Sequence, residues 1–239
     1  MNFWVGTSGY SYKEWKGVFY PQDLPDKEML RYYGQHFKSV EINNTFYRMP
    51  KINMLVNWTE QVPEDFKFVL KASQKITHQK RLKEVEDETG YLFNTARTLD
   101  NRLGVILFQL PPYLRKDLSR LENFLKLIPK DIRVAFEFRH ASWFDDEIFA
   151  CLESKNCALC FSDTEKELQT EIVSTANWGY LRLRRENYED HELSRWIQQI
   201  RNQNWQQVFV FFKHEDEGAG PRLAKQFLQL CQNLDYQSP

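Results

Sequence analysis

The stretch VAFEFRHASWF, Val134–Phe144, begins like a strand buried on both sides and then sets Glu137, Arg139 and His140 among its apolar residues. Successive residues of a strand point to opposite faces. Val134, Phe136 and Phe138 therefore make one apolar face, and Ala135, Glu137 and Arg139 make the other. In a closed barrel one parity packs against the surrounding helices and the other fills the lumen, with functional groups at the C-terminal strand ends. A half-apolar, half-charged strand suits that geometry, and His140 falls just past its end.

The same rhythm extends in both directions. FWVGTS near Phe3, SVEIN near Ser39, FKFVLKA near Phe66, GVILFQL near Gly104, CALCFSD near Cys157, YLRLR near Tyr180 and VFVFFKH near Val208 also read as strands. Segments with apolar residues at helical spacing lie between them: KEMLRYYGQHF, TGYLFNTARTL, DLSRLENFLKLI, WFDDEIFACLES, DHELSRWIQQIRN and GPRLAKQFLQLCQNL. Eight strand–helix units in 239 residues predict an α/β fold, a single (β/α)8 TIM barrel forming one domain over residues 1–239. The sixth unit has only TEKELQTEIVS for its helix and is expected to be short or irregular. No linker, low-complexity segment or repeat beyond the unit itself interrupts the chain.

Composition is ordinary for a globular chain, 42% hydrophobic and 27% charged. A net charge of −1 supplies no global field for nucleic acid or anionic membrane, so any polyanion contact must be local. The opening MNFWVGTSGY lacks a basic, then apolar leader pattern, which predicts a cytoplasmic protein. The apolar runs fall well short of the roughly 20 residues of a membrane span, so no membrane association is expected. Cys157 and Cys160 form a C-x-x-C whose thiols a strand would send to opposite faces. With Cys151 and Cys231, they are expected to be buried thiols rather than a metal or redox site.

Parity along the other strands turns the pattern into chemistry. It sends Glu41 and Asn43 inward from the second strand, Lys71 from the third and Gln109 from the fourth. From the seventh it sends Tyr180, Arg182 and Arg184, and from the eighth Lys213. Lys71, Arg139, Arg182, Arg184 and Lys213 are then five cations against Glu41 and Glu137, with Asp163 a third acid if its strand runs far enough. Unpaired buried charge is costly. The surplus therefore calls for an anionic ligand, unless the charges form a purely structural ion-pair network filling the barrel. Gly218 and Gly220, before the last helix, can free backbone N–H groups for a phosphate or simply make a tight loop.

His78, His140 and His214 follow strands three, five and eight, and with Glu137, Asp163 or Glu215 they are the residues that would hold a divalent metal, although no tight ligand motif is present. Glu41 and Glu137 are the candidate acid and base, with His140 a candidate proton carrier. Tyr10, Tyr12, Trp15, Phe46, Tyr47, Trp143 and Phe144 cluster near strand ends, where rings stack on bases or sugars or merely pack. KITHQKRLK, from Lys75, is a basic loop backed at once by the acidic EVEDE.

GTSGYSYKEWKGVFYP, VEINNTFYRMP, KITH, GVILFQLPP and EFRHASW together resemble the signatures of the DUF72, or YecE-like, family, in the family's order and across nearly the whole chain. The resemblance implies a TIM barrel and no established activity. It places the family's recurrent polar residues at Thr7, Ser8, Tyr10, Glu41, Asn43, Thr45, Tyr47, His78, Gln109, Glu137, Arg139, His140 and Trp143. YLRLRRENY departs from the Tyr-x-Arg-x-His-Gly pattern common in the family, and FFKHEDEGAG stands where an Asn pair is usual. Arg184, Arg185, Lys213 and His214 thereby mark this chain's own version of the mouth. The expectation is an enzyme acting on a phosphorylated or otherwise anionic substrate, such as a phosphoester hydrolase or a sugar-phosphate enzyme. The competing expectation is a non-catalytic binder of nucleic acid or a small anion, using the same basic mouth.

Overall fold

A computed structural model describes residues 1–163, 171–213 and 218–236, the last three by backbone alone. The strands are β1 (Asn2–Thr7), β2 (Ser39–Ile42), β3 (Lys67–Lys71), β4 (Leu103–Gln109), β5 (Val134–Glu137), β6 (Ala158–Asp163), β7 (Trp178–Leu183) and β8 (Gln207–Phe212). They pair in parallel in the order β1-β8-β7-β6-β5-β4-β3-β2, and β1 comes round to meet β2, giving a (β/α)8 barrel. The helices are α1 (Met29–His36), α2 (Asn44–Tyr47), α3 (Ile52–Thr59), α4 (Glu86–Ala96), α5 (Leu118–Leu125), α6 (Asp146–Glu153), α7 (Asp190–Arg201) and α8 (Ala219–Tyr236). No helix among the described residues is long and apolar enough to cross a membrane.

Local chemistry sets several helix starts. The Asp117 carboxylate accepts from Arg120 N at α5, Asp145 accepts from Glu147 N at α6, and Glu189 and Glu192 form a reciprocal capping box at α7. The helix α3 is absent from the periodicity reading. Its Leu55 and Trp58 are buried, but Ile52 and Val56 on its other side are exposed, so apolar residues do not mark one face. Between β6 and β7 the described residues 171–177 form no helix, while residues 164–170 of the expected short segment lie outside the described residues.

Two apolar layers follow from strand parity. One lies between strands and helices and holds Val134, Phe136, Phe138, Leu181 and Leu183. The other plugs the lumen with Val69, Val105, Leu107, Ala135, Ala158, Cys160, Trp178, Tyr180, Phe209 and Phe211. Two residues further along the same strands come Lys71, Gln109, Glu137, Arg182 and Lys213. A two-residue step is about 7 Å of strand. The lumen thus changes from oil to charge in one layer, at the C-terminal end.

The β1–β2 seam closes by a side-chain relay. Gly9 N donates to Glu41 O at 2.7 Å, and Thr7 N donates to the Tyr33 hydroxyl at 2.8 Å, which in turn donates to Ser39 O at 3.1 Å. Gly6 makes room for this closure, since a Cβ there would stand 1.9 Å from Ser39 O. Tyr33→Phe should therefore orphan a buried donor and a buried acceptor and lower unfolding free energy by about 1–3 kcal/mol in denaturant titration. Gly6→Ala should force the seam apart and destabilise the fold. Gly90→Ala, where a Cβ meets nothing within 4 Å inside α4, should instead stabilise by about 0.5–1 kcal/mol.

Candidate functional site

At the C-terminal end of the barrel the ionic layer is built around Arg182 of β7, which is 1% exposed. One guanidinium nitrogen donates to Glu137 Oε2 at 2.5 Å and the other to Glu41 Oε1 at 2.8 Å, so a single fork joins β7 to both β5 and β2. Each carboxylate has further donors. Glu41 accepts from Ser8 Oγ at 2.7 Å and from the Tyr180 hydroxyl at 2.6 Å. Glu137 accepts from Gln109 Nε2 at 2.8 Å and from Arg139 Nε at 3.2 Å, and an Arg184 nitrogen stands 3.6 Å away. Gln109 and Glu137 are register partners in the β4–β5 ladder, which is why their side chains meet.

The titration of the layer follows from this geometry. Burial by itself would raise the Glu41 carboxyl, but Arg182 and the Tyr180 and Ser8 hydroxyls outweigh it and hold it below the usual range. Burial is likewise overcome at Glu137 by Arg182, Arg139 and Arg184, which keep it well below that range. Neither acid carries a proton near neutrality, so this arrangement equips them to hold cations in place rather than to donate protons. Lys71 shows the reverse balance. Burial, then Arg182, push its amine down to about 8 against the pull of Glu41 and Glu137. Burial and the neighbouring Lys71 also lower His78.

Above this floor opens a cleft of about 600 Å³ lined by Tyr12, Asn43, Asn44, Phe46, Tyr47, Lys71, Gln74, His78, Gln109, Arg139, Arg182, Arg184 and Lys213. Its volume is that of a small-molecule site. Five of these residues are Lys or Arg and none is a carboxylate. The Lys71 Nζ lies 4.3 Å from the centre of the Phe46 ring, and the His78 ring meets Phe46 edge-on at 5.0 Å.

Ser8, Asn43, Lys71, His78, Gln109, Arg139, Arg182, Arg184, Lys213, Glu41 and Glu137 are thus brought together, Ser8 and the two acids forming the floor beneath the cleft. Four expected residues stand elsewhere. Asp163 shares the helix-facing parity of Phe161, because β6 continues one residue past the lumen-facing Ser162. Its carboxylate is taken by Arg185 Nε at 3.0 Å and the Tyr188 hydroxyl at 2.8 Å. Trp143 is buried, stacks on Phe138 at 4.7 Å and donates to Leu114 O. His140 caps the turn Ala141–Trp143, accepting from Ser142 N, and is not in the cleft wall. Tyr10 packs its ring on Tyr33, and its carbonyl accepts from the Tyr20 hydroxyl.

His214 and Glu215 lie outside the described residues, as do residues 216 and 217. Among the described residues no three His, Cys, Asp or Glu side chains form a group able to hold a metal ion. In the basic stretch from Lys75, Lys75 and Lys80 both pair with Glu88, while His78 lines the cleft. All four cysteines are free, and Cys157 and Cys160 face opposite layers. Asn44, Phe46 and Gln74 of the cleft wall escape strand parity because they lie beyond the strand ends. Tyr180 had the right parity and was missed only as a partner for Glu41.

A parallel eight-stranded barrel with its polar layer at the C-terminal strand ends defines the class as a (β/α)8 TIM-barrel protein. The chain belongs to the DUF72 family, described as a protein of unknown function, whose family model matches residues 4–238. The UPF0759 protein YunF of Bacillus subtilis is 24% identical over a 274-residue alignment covering 98% of this chain and 95% of that protein. YecE of Escherichia coli K12 is 33% identical over 116 residues, 48% of this chain and 43% of that one. The crystal structure of a DUF72 family protein from Thermotoga maritima superposes with a TM-score of 0.81 at 26% identity, covering 97% of this chain and all (100%) of that one.

The Glu–Arg–Glu floor has a pH signature. Both carboxyls are lowered below an ordinary value of 4.5, so their stabilisation is complete above that pH and is lost as pH falls toward the depressed values. Wild type should lose stability steeply below about pH 4.5, and Glu137→Gln should show a shallower decline in denaturant midpoints measured against pH. Arg182→Met, which strands two buried carboxylates, should cost about 3–5 kcal/mol at neutral pH and less as the medium is acidified.

Proposed function

We propose that the barrel mouth binds an anionic small molecule, a phosphate ester or carboxylate, and that the protein is an enzyme acting on it. One observation carries this reading: besides Arg182, which engages the two acids beneath, the described wall of the cleft holds four Lys or Arg side chains and no carboxylate. Positive groups in a walled cleft concentrate an anion and hold it by charge-assisted hydrogen bonds. Arg139 and Arg184 are anchored on Glu137, which fixes their direction before a ligand arrives. The four free cysteines suit the reducing cytoplasm, which we take as its setting.

A second reading, a non-catalytic nucleic-acid binder, draws on Tyr47, which lines the cleft with 74% of its surface exposed and can stack on a base. Turnover separates the two. Calorimetry with inorganic phosphate and a panel of phosphate esters and carboxylates should give binding that weakens with salt. Arg139→Ala and Lys213→Ala should each weaken it by about tenfold. Product formation from any panel member, with or without added divalent metal, supports an enzyme. Binding of oligonucleotides without turnover favours the second reading, and absence of any anion binding removes both.

A further inference from the structure

We propose that Lys71 forms a covalent imine with the carbonyl group of an aldehyde or ketone that also carries a phosphate or carboxylate. The inference rests on the anion-binding reading of the mouth and names the reactive class of its ligand. Lys71 is the last residue of β3, at the mouth of the barrel and half-buried in the cleft wall. It differs from the other basic groups there. Its Nζ makes no hydrogen bond or ion pair to any described residue, and its contact is the face of the Phe46 ring. An amine that no acceptor claims, in a cleft of cations, is poised to lose its proton, and desolvation beside other cations is a recognised way to make a lysine nucleophilic.

The charged groups facing Lys71 come from four elements. Glu41 stands on β2 and Glu137 on β5, both spent on Arg182 of β7, with Arg139 just past β5 and His78 in the turn after β3. With Lys71 held near 8, about a tenth of it is free amine at pH 7, against roughly one part in 3000 for an ordinary lysine. His78 can serve the proton traffic. The Thr77 hydroxyl lies 3.3 Å from Ser73 O and 2.8 Å from His78 Nδ1, so with its proton on the carbonyl it accepts from Nδ1–H and leaves Nε2 as a base.

The chemistry closes without an external reagent. The Lys71 ammonium first gives a proton to His78 Nε2; its freed Nζ lone pair attacks the carbonyl carbon, the C=O π pair moves to oxygen, and a proton transferred from nitrogen to that oxygen gives a carbinolamine. Protonation of its hydroxyl through His78 lets the C–O bond break and water leave, and the nitrogen lone pair forms the C=N⁺ bond. Carbonyl compound plus Lys71 ammonium becomes protonated imine plus water, with charge conserved. Arg139, Arg184 and Lys213 would meanwhile hold the anionic end of the substrate.

Pyridoxal 5′-phosphate, used as a probe because it joins an aldehyde to a phosphate, tests this with borohydride reduction and peptide mass mapping. Substoichiometric probe should place a single phosphopyridoxyl group on Lys71, at least about tenfold faster than on exposed lysines. The rate should climb with pH to a midpoint near 8, and excess inorganic phosphate should protect the site. Lys71→Arg, checked for native circular dichroism and melting, should abolish the adduct, whereas Lys75→Arg should not. Labelling spread over surface lysines, or unchanged in Lys71→Arg, overturns the imine, and if calorimetry still shows phosphate binding the anion reading survives. Labelling of Lys71 equally by uncharged pyridoxal, unprotected by phosphate, keeps the imine and overturns the anion reading instead.

Discussion

Arg182 and the two carboxylates it holds are the constraint on which the rest of the mouth depends. A carboxylate stripped of water costs several kcal/mol, and Glu41 and Glu137 both lie in the lumen. One guanidinium reaches both, from a strand adjacent to neither in the sheet order. Two acids and one arginine leave one negative charge, and Arg139, Arg184 and Lys71 above supply its compensation. The floor therefore forces cations to gather over it. Burial, and then the nearness of Arg182, lower the amine of Lys71, the least well paired of these cations, and burial and Arg182 lower Arg184 as well.

The depth of the charged layer is set by the apolar plug beneath it. Trp178, Tyr180, Phe209 and Phe211 fill the lumen from below, so the described charged layer opens toward the mouth. Tyr180 belongs to both regions: its ring stacks toward Phe209 and its hydroxyl caps Glu41. Such amphipathic use of a tyrosine couples packing of the plug to alignment of the floor. A change that rotates the ring would release a hydrogen bond from the very carboxylate that positions Arg182.

Much of this was legible before any coordinates, and the limits are physical. Parity reads the lumen correctly wherever a residue lies within a strand, because alternation there is geometric: Glu41, Lys71, Gln109, Glu137 and Arg182 all follow it, and Asn43, Arg184 and Lys213 continue it one step beyond. It loses force several residues past a strand end, and a strand's last residue has to be assigned to the right face. Asp163 turns with the helix-facing set, and His140 and Trp143 sit in a tight turn where alternation no longer applies. Nor can parity say who pairs with whom across a barrel, since the Arg182–Glu41 contact spans 141 residues of sequence. The ring of Phe46 under Lys71 depends on how the short helix α2 leaves β2, which no periodicity encodes.

The floor and the rim of the site differ in how they relate to the family pattern. Tyr180 and Arg182 match the Tyr and Arg of the seventh-strand pattern that the chain resembles, and Glu41, Gln109 and Glu137 fall within the quoted signatures, so the floor coincides with the motifs that carry the resemblance. The rim is its own. Arg184 stands where a histidine is common, and Lys213 begins the segment where an Asn pair is usual. Arg184 and Lys213 both place positive charge in the cleft wall above the floor. The floor fixes where Arg139 and Arg184 stand, since both pair with Glu137, and Lys213 joins them in the cleft wall, so the charge of the mouth is set by residues that lie above the floor rather than by the floor itself.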